Sequence, residues 1–158
     1  ASMRTFRHMI EPSPEVVLGH HWMFFNEIAL GNADNALKEM KLVEKLLGDD
    51  DRRIVFLPDL AYGYARLGLD ADAQRIVDEM TAIAADTDLG AGTWALAYLA
   101  LGDEAKALEQ LEVVAEKARR HESDAGFLNV MSLRMNQFDD PTLEKPEFVE
   151  VFSRIVGD

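Results

Sequence analysis

Few side chains in this sequence stand at spacings that chemistry requires. His20 and His21 are adjacent, and neighbours on a helix point about 100° apart, so they cannot share a metal ion as an i, i+4 pair can. With Glu27 they form the one cluster on which an enzymatic or metal-binding helical domain could be centred. Gly48-Asp49-Asp50-Asp51 is acidic but lacks the alternating ligands and internal glycine of a calcium loop, so its carboxylates suit a turn and a helix start. Gly90-Ala91-Gly92 lacks the third glycine and the preceding strand of a dinucleotide loop. The chain contains no G-x-x-x-x-G-K, no G-x-S-x-G and no H-E-x-x-H. No catalytic residue, cofactor or metal ligand is therefore assigned, and the expectation is a non-enzymatic chain.

Composition narrows the remaining classes. The 158 residues, 48% hydrophobic and 28% charged, suit one domain with a real core. Twenty-nine acidic residues against 16 basic ones leave a formal charge of −13, which disfavours nucleic acid and anionic membranes, favours at most basic partners, and expects solvated acidic helix faces. There is no cysteine, and no apolar run approaches the ~20 residues of a membrane span. A cytoplasmic, reducing location is expected.

Residues 1–12 show no sustained period and read as an N-terminal arm or an expression remnant, with Arg4, Arg7 and His8 as a small basic group. Ser13-Pro14-Glu15 writes a helix start, and residues 13–158 are expected to form a single helical domain. Helix pairs are predicted at 14–47, 53–85 and 90–120. The first pair is a helix over 14–30, closed by Gly31, and another over 33–47. The second pair is 53–67, either starting near Pro58 or kinked there, and 71–85. Residues 86–92 join it to the third, which is 92–101 and 104–120 with Asp103 as N-cap and Lys117, Arg119, Arg120 and His121 in the last turn.

The three breaks align. Gly31, Gly68 and Gly102 are 37 and 34 residues apart, and an alanine follows each by five, at Ala36, Ala73 and Ala107. In the second unit Ala61, Tyr64, Gly68, Ala73 and Met80, and in the third Ala95, Tyr98, Gly102 and Ala107, stand at positions that resemble the tetratricopeptide repeat. The first unit departs, with Phe24 and Glu27 where a small residue and a tyrosine are usual. The resemblance implies an all-α fold, a right-handed α-solenoid of about three hairpins with a C-terminal capping segment. Small residues would let paired helices approach, and the tyrosines would fill the space toward the next repeat.

The cap is expected over 124–157, with a helix over 127–137 and a last helix from Pro146 that presents Phe148, Val151, Phe152, Ile155 and Val156 on one face. Its D-P-x-L-x-x-P-x-F ending resembles helical-repeat regions of bacterial signalling proteins, including class III adenylate or guanylate cyclases and certain winged-helix transcriptional regulators. In the repeat register the inward positions of the first helices are His21, Trp22 and Phe25, then Asp59, Tyr62 and Arg66, then Thr93 and Leu96. These eight are the candidate partner-binding groove. The groove Asn and Lys residues with which tetratricopeptide domains grip chaperone C-termini are missing from these positions. The resemblance thus implies a protein or peptide partner and an interaction or scaffolding role within a larger signalling protein. Homodimerisation through Trp22 and Phe25, or packing of both against an N-terminal segment, stands as the alternative use of those aromatics.

Overall fold

In the computed structural model, residues 17–49, 51–135 and 139–156 are described. They are helical, with no strand among them. In chain order the helices are α1 Val17–Ala29, α2 Ala33–Leu47, a 3₁₀ turn at Asp51–Val55 and α3 Leu57–Arg66. There follow α4 Asp70–Ile83, α5 Ala91–Ala100, α6 Glu104–Arg119 and α7 Phe127–Arg134. A second 3₁₀ turn at Pro141–Glu144 leads into α8 Pro146–Val156. None of these helices is long and apolar enough to cross a membrane.

Pro58 lies in the first turn of α3, where its missing N–H has no carbonyl to serve. The helix therefore starts there, and the residues before it form the 3₁₀ turn rather than a kinked helix. The expected start at Ser13-Pro14-Glu15, Asp50 and the end of the 127–137 helix fall outside the described residues.

Each first helix ends in the same way. The Gly68 N–H bonds the Ala65 carbonyl at 2.9 Å and the Leu69 N–H reaches back to the Tyr64 carbonyl at 2.9 Å. Gly31 and Gly102 are wired identically, through Ile28 and Glu27 and through Leu99 and Tyr98. This is the Schellman closure, whose central residue must take positive φ, and the three glycines have φ of 72°, 72° and 73°. The α6 helix closes the same way on His121, at φ 58°. The outermost member of the basic cluster is thus a backbone cap. Asp103 caps α6 as its position suggests, accepting from the Lys106 N–H at 3.1 Å.

With the turns so set, α1 packs on α2, α3 on α4 and α5 on α6, while α1 meets α3, α3 meets α5, and α5 meets α7. The α8 helix lies on α6. Ala36, Ala61, Ala73, Ala95 and Ala107 are fully buried at the crossings, where small side chains set how closely the backbones approach. The first unit accommodates Phe24 by a different route. A Cβ on Gly63 of α3 would meet the Met40 thioether and the Phe24 ring, so the next hairpin supplies the room that an alanine leaves elsewhere. Tyr64 does not fill space toward the following unit as expected. It points back, its hydroxyl donating to Glu44 on α2 while Arg75 stacks over its ring and bonds the same carboxylate at 3.1 Å. Burial first, and then the Glu44 carboxylate, push the Tyr64 phenol well above its ordinary range. One apolar cluster runs from Phe24 to Ile155.

Ala73→Leu should lower stability by about 1–3 kcal/mol, because extra methylenes must enter a closed helix crossing. Ala105→Leu, on the exposed side of α6, should change it by less than about 0.5 kcal/mol. Urea unfolding of both variants checks this, and equal effects would contradict the packing described.

Candidate functional site: the inner helix row and its cover

The eight residues predicted to line a groove fall on the first helices α1, α3 and α5 and are spaced to share a face. The face is not an open groove. His21, Phe25, Asp59, Tyr62, Thr93 and Leu96 are buried, Trp22 is half-buried, and only Arg66 is exposed. Apolar or small residues surround α5 on every side, with Ala91, Ala95, Leu96, Ala97, Leu99 and Ala100 all buried, and a helix without a polar face is one that neighbours cover on all sides. That signal was present in the sequence and contradicts an exposed inner wall.

The chain's own C-terminal part supplies the cover. Thr93 donates its hydroxyl to the Asn129 side-chain oxygen Oδ1 on α7 at 3.1 Å, and the Asn129 side-chain amide Nδ2 reaches the Val55 carbonyl at 3.5 Å. Tyr62 donates its hydroxyl to the Asp140 carboxylate. That carboxylate also accepts the Thr142 N–H at 2.9 Å and stands 3.8 Å from the Arg66 guanidinium. Arg66 donates to the Asp139 carbonyl at 2.8 Å. Burial raises the Tyr62 phenol far above its usual range, and the Asp140 carboxylate adds to it. Burial also works to raise the Asp140 carboxyl, but the Tyr62 hydroxyl, the Thr142 amide and Arg66 outweigh it and hold the group below its ordinary value. Beside this contact lies a cleft of about 460 Å³ lined by Tyr62, Arg66, Asp70, Gln74 and Asp140 among others.

The two adjacent histidines diverge as helix geometry requires. His20 Nδ1 meets Glu39 Oε2 on α2 at 2.7 Å, whereas His21 Nε2 meets Asp59 Oδ2 on α3 at 2.9 Å. His21 sits among Trp22, Phe24, Phe25 and Phe56, with ring centroids 4.6 to 5.9 Å away. A histidine held by a carboxylate is the base half of a nucleophilic triad, but among the described residues His21 Nδ1 has no hydrogen-bond partner in this aromatic cage. A nucleophile would have to stand there. Glu27 is buried and accepts from the Asn32 amide at 2.8 Å, closing its own hairpin. Among the described residues, no group of three or more His, Asp or Glu is placed to hold a metal ion.

The site that sequence reasoning missed is Asp124. Its carboxylate is 1% exposed and takes four donors: the Ala91 N–H at 3.1 Å, the Gly92 N–H at 3.0 Å, the Gly126 N–H at 2.9 Å and Lys117 Nζ at 2.8 Å. It therefore closes the positive end of α5 from a loop more than thirty residues later in the chain. Gly92 and Gly126 are glycines because a Cβ on either would run into the backbone of the other's segment. The 90–92 glycines thus serve a backbone junction, and Lys117 pairs with a buried acid rather than only with its helix end. Arg119 and Arg120 both pair with Glu116, at 2.7 Å each, and Arg119 in particular draws the Glu116 carboxyl down to about 2.

The chain was compared with family models, with curated proteins and with solved structures, and none matches.

Asp124→Ala should cost about 2–4 kcal/mol, since it leaves buried amides without an acceptor. Burial raises the Asp124 carboxyl, but Lys117 and the three amides overcome this and hold it below 3.8. The stabilisation is therefore complete above that pH and is lost as pH falls through the folded-state value. Chemical denaturation between pH 7 and pH 2 should show the wild type converging on Asp124→Asn only at the acid end. A constant gap would contradict the assignment.

Proposed function

We propose that this chain is a tetratricopeptide-like, right-handed α-solenoid of three hairpins and a C-terminal cap, acting as a non-catalytic protein-interaction or scaffolding module. The observation that carries the reading is the recurrence of one closure and one crossing. Gly31, Gly68 and Gly102 share a backbone conformation, and Ala36, Ala73 and Ala107 are fully buried five residues on. Repeats of this kind stack to hide apolar faces and present extended surfaces to partners. The ending from Asp140 to Phe148 supports a place as the C-terminal region of a larger bacterial signalling protein, such as a nucleotidyl cyclase, in the cytoplasm. Asp140 caps the 3₁₀ turn and Phe148 is fully buried, so both ends of that motif serve the cap. The partner is a protein or peptide rather than nucleic acid or membrane, given the net charge of −13.

The accessible part of the inner row is Arg66 with half-buried Trp22 beside buried Phe25. Quantified crosslinking capture with the wild type, Trp22→Ala, Arg66→Ala and the distant Lys41→Ala tests the surface. Loss of a captured protein by about tenfold or more in the first two variants only is expected of contact residues. Equal capture by all four removes the inner row as the contact surface. Capture of a second copy of the chain by the wild type, lost in Trp22→Ala, would move the reading to homodimerisation.

A further inference from the structure

The segment that covers Tyr62 and Arg66 is built differently from the rest of the cap. Helix α8 is anchored by buried Phe148, Val151, Phe152 and Ile155, and α7 by buried Val130 and Leu133. Between them, residues 139–144 place one buried apolar side chain, Leu143, and otherwise hold on through polar contacts. Asp139 has φ of 49°, the left-handed region that non-glycine residues occupy at some cost. Asp140 is bound as a ligand would be. Its carboxylate takes a tyrosine hydroxyl, approaches a guanidinium and closes a turn with the amide two residues on. The adjoining cleft of about 460 Å³ has room for further residues of an extended peptide.

From this we propose that Tyr62 and Arg66 form a receptor for an acidic peptide, one that presents an aspartate side chain at the start of a tight turn, and that residues 139–144 occupy it as an intramolecular placeholder. The proposal rests on the interaction-module reading and names its partner class. Recognition is of a side-chain carboxylate followed by a turn amide, not of a chain terminus. A tethered ligand has an effective concentration in the millimolar range, so a free peptide competes poorly until the tether is weakened. Because α7 packs on α5 and α8 on α6, release of residues 139–144 from the site need not undock either helix.

The test is fluorescence anisotropy of a labelled, end-blocked peptide with the sequence of residues 139–147, titrated with the full chain. Asp140→Ala should bind it at least tenfold more tightly than the wild type. Adding Arg66→Ala or Tyr62→Phe to that variant should abolish the gain, as should replacing the second aspartate of the peptide by asparagine. Circular dichroism checks that each variant is helical. If Asp140→Ala does not fold, Asp140→Asn, which keeps an acceptor for the Thr142 amide, takes its place. Equal binding by wild type and variant, no binding by a folded variant, or binding indifferent to Arg66 and Tyr62 would overturn the proposal. So would failure of both Asp140 variants to fold, which would make the contact a brace. Partner capture through Trp22 that persists alongside a negative peptide result would leave the interaction-module reading standing and remove only this receptor.

Discussion

Everything in this fold depends on how the first helix of each pair stops. A positive-φ residue at a helix end gives the last carbonyls backbone partners and turns the chain within the same closure. Here Gly31, Gly68 and Gly102 take the left-handed conformation with nothing within 4 Å of the Cβ each lacks, so the requirement is conformational and not steric. The closure turns the chain within two residues and brings the alanine five positions on into the crossing. That fixes the distance between paired helices and therefore the shape on which the next pair stacks. His121 makes the same closure without being glycine, at the end of α6.

The second constraint is that a helix row packed on two sides has little polar surface to spare. Buried polar groups in such a row need partners, and several find them across helices: His21 Nε2 with Asp59, Thr93 with Asn129, and Tyr62 with Asp140. These pairs bind α1 to α3 and fasten the C-terminal segment over α3 and α5. The acidic excess stays largely outside. Much of it is arranged in exposed pairs, some within one helix such as Glu116 with Arg119 and Arg120, others between helices such as Glu112 with Arg154, where such charges contribute little to stability.

Much of the architecture was legible in the sequence because it is written in local terms. The glycine spacing, the alanines five residues later, Asp103 as a cap and Pro146 as a start each need only a few neighbouring residues to recognise. The covered inner face was not read, although the all-round apolar character of 91–100 carried it. Contacts such as Tyr62 with Asp140, 78 residues apart, leave no period behind. Asp124 is the clearest case. In sequence it is one acid among 29, and only the approach of 90–92 to 124–126 turns it into a cap. Tyr64 faces back to Glu44 and not toward the following unit, because a sequence period says which face a side chain is on and not which neighbour reaches it.

The chain's own residues 139–144 close the inner face over α3 through Asp140. Hydrogen exchange measured by mass spectrometry on the wild type and Asp140→Ala tests it most directly. Faster exchange is expected in Asp140→Ala for peptides covering 57–66 and 139–145, with those covering 33–47 and 104–119 unchanged. Unchanged exchange everywhere, or a uniform increase across all helices, would contradict it.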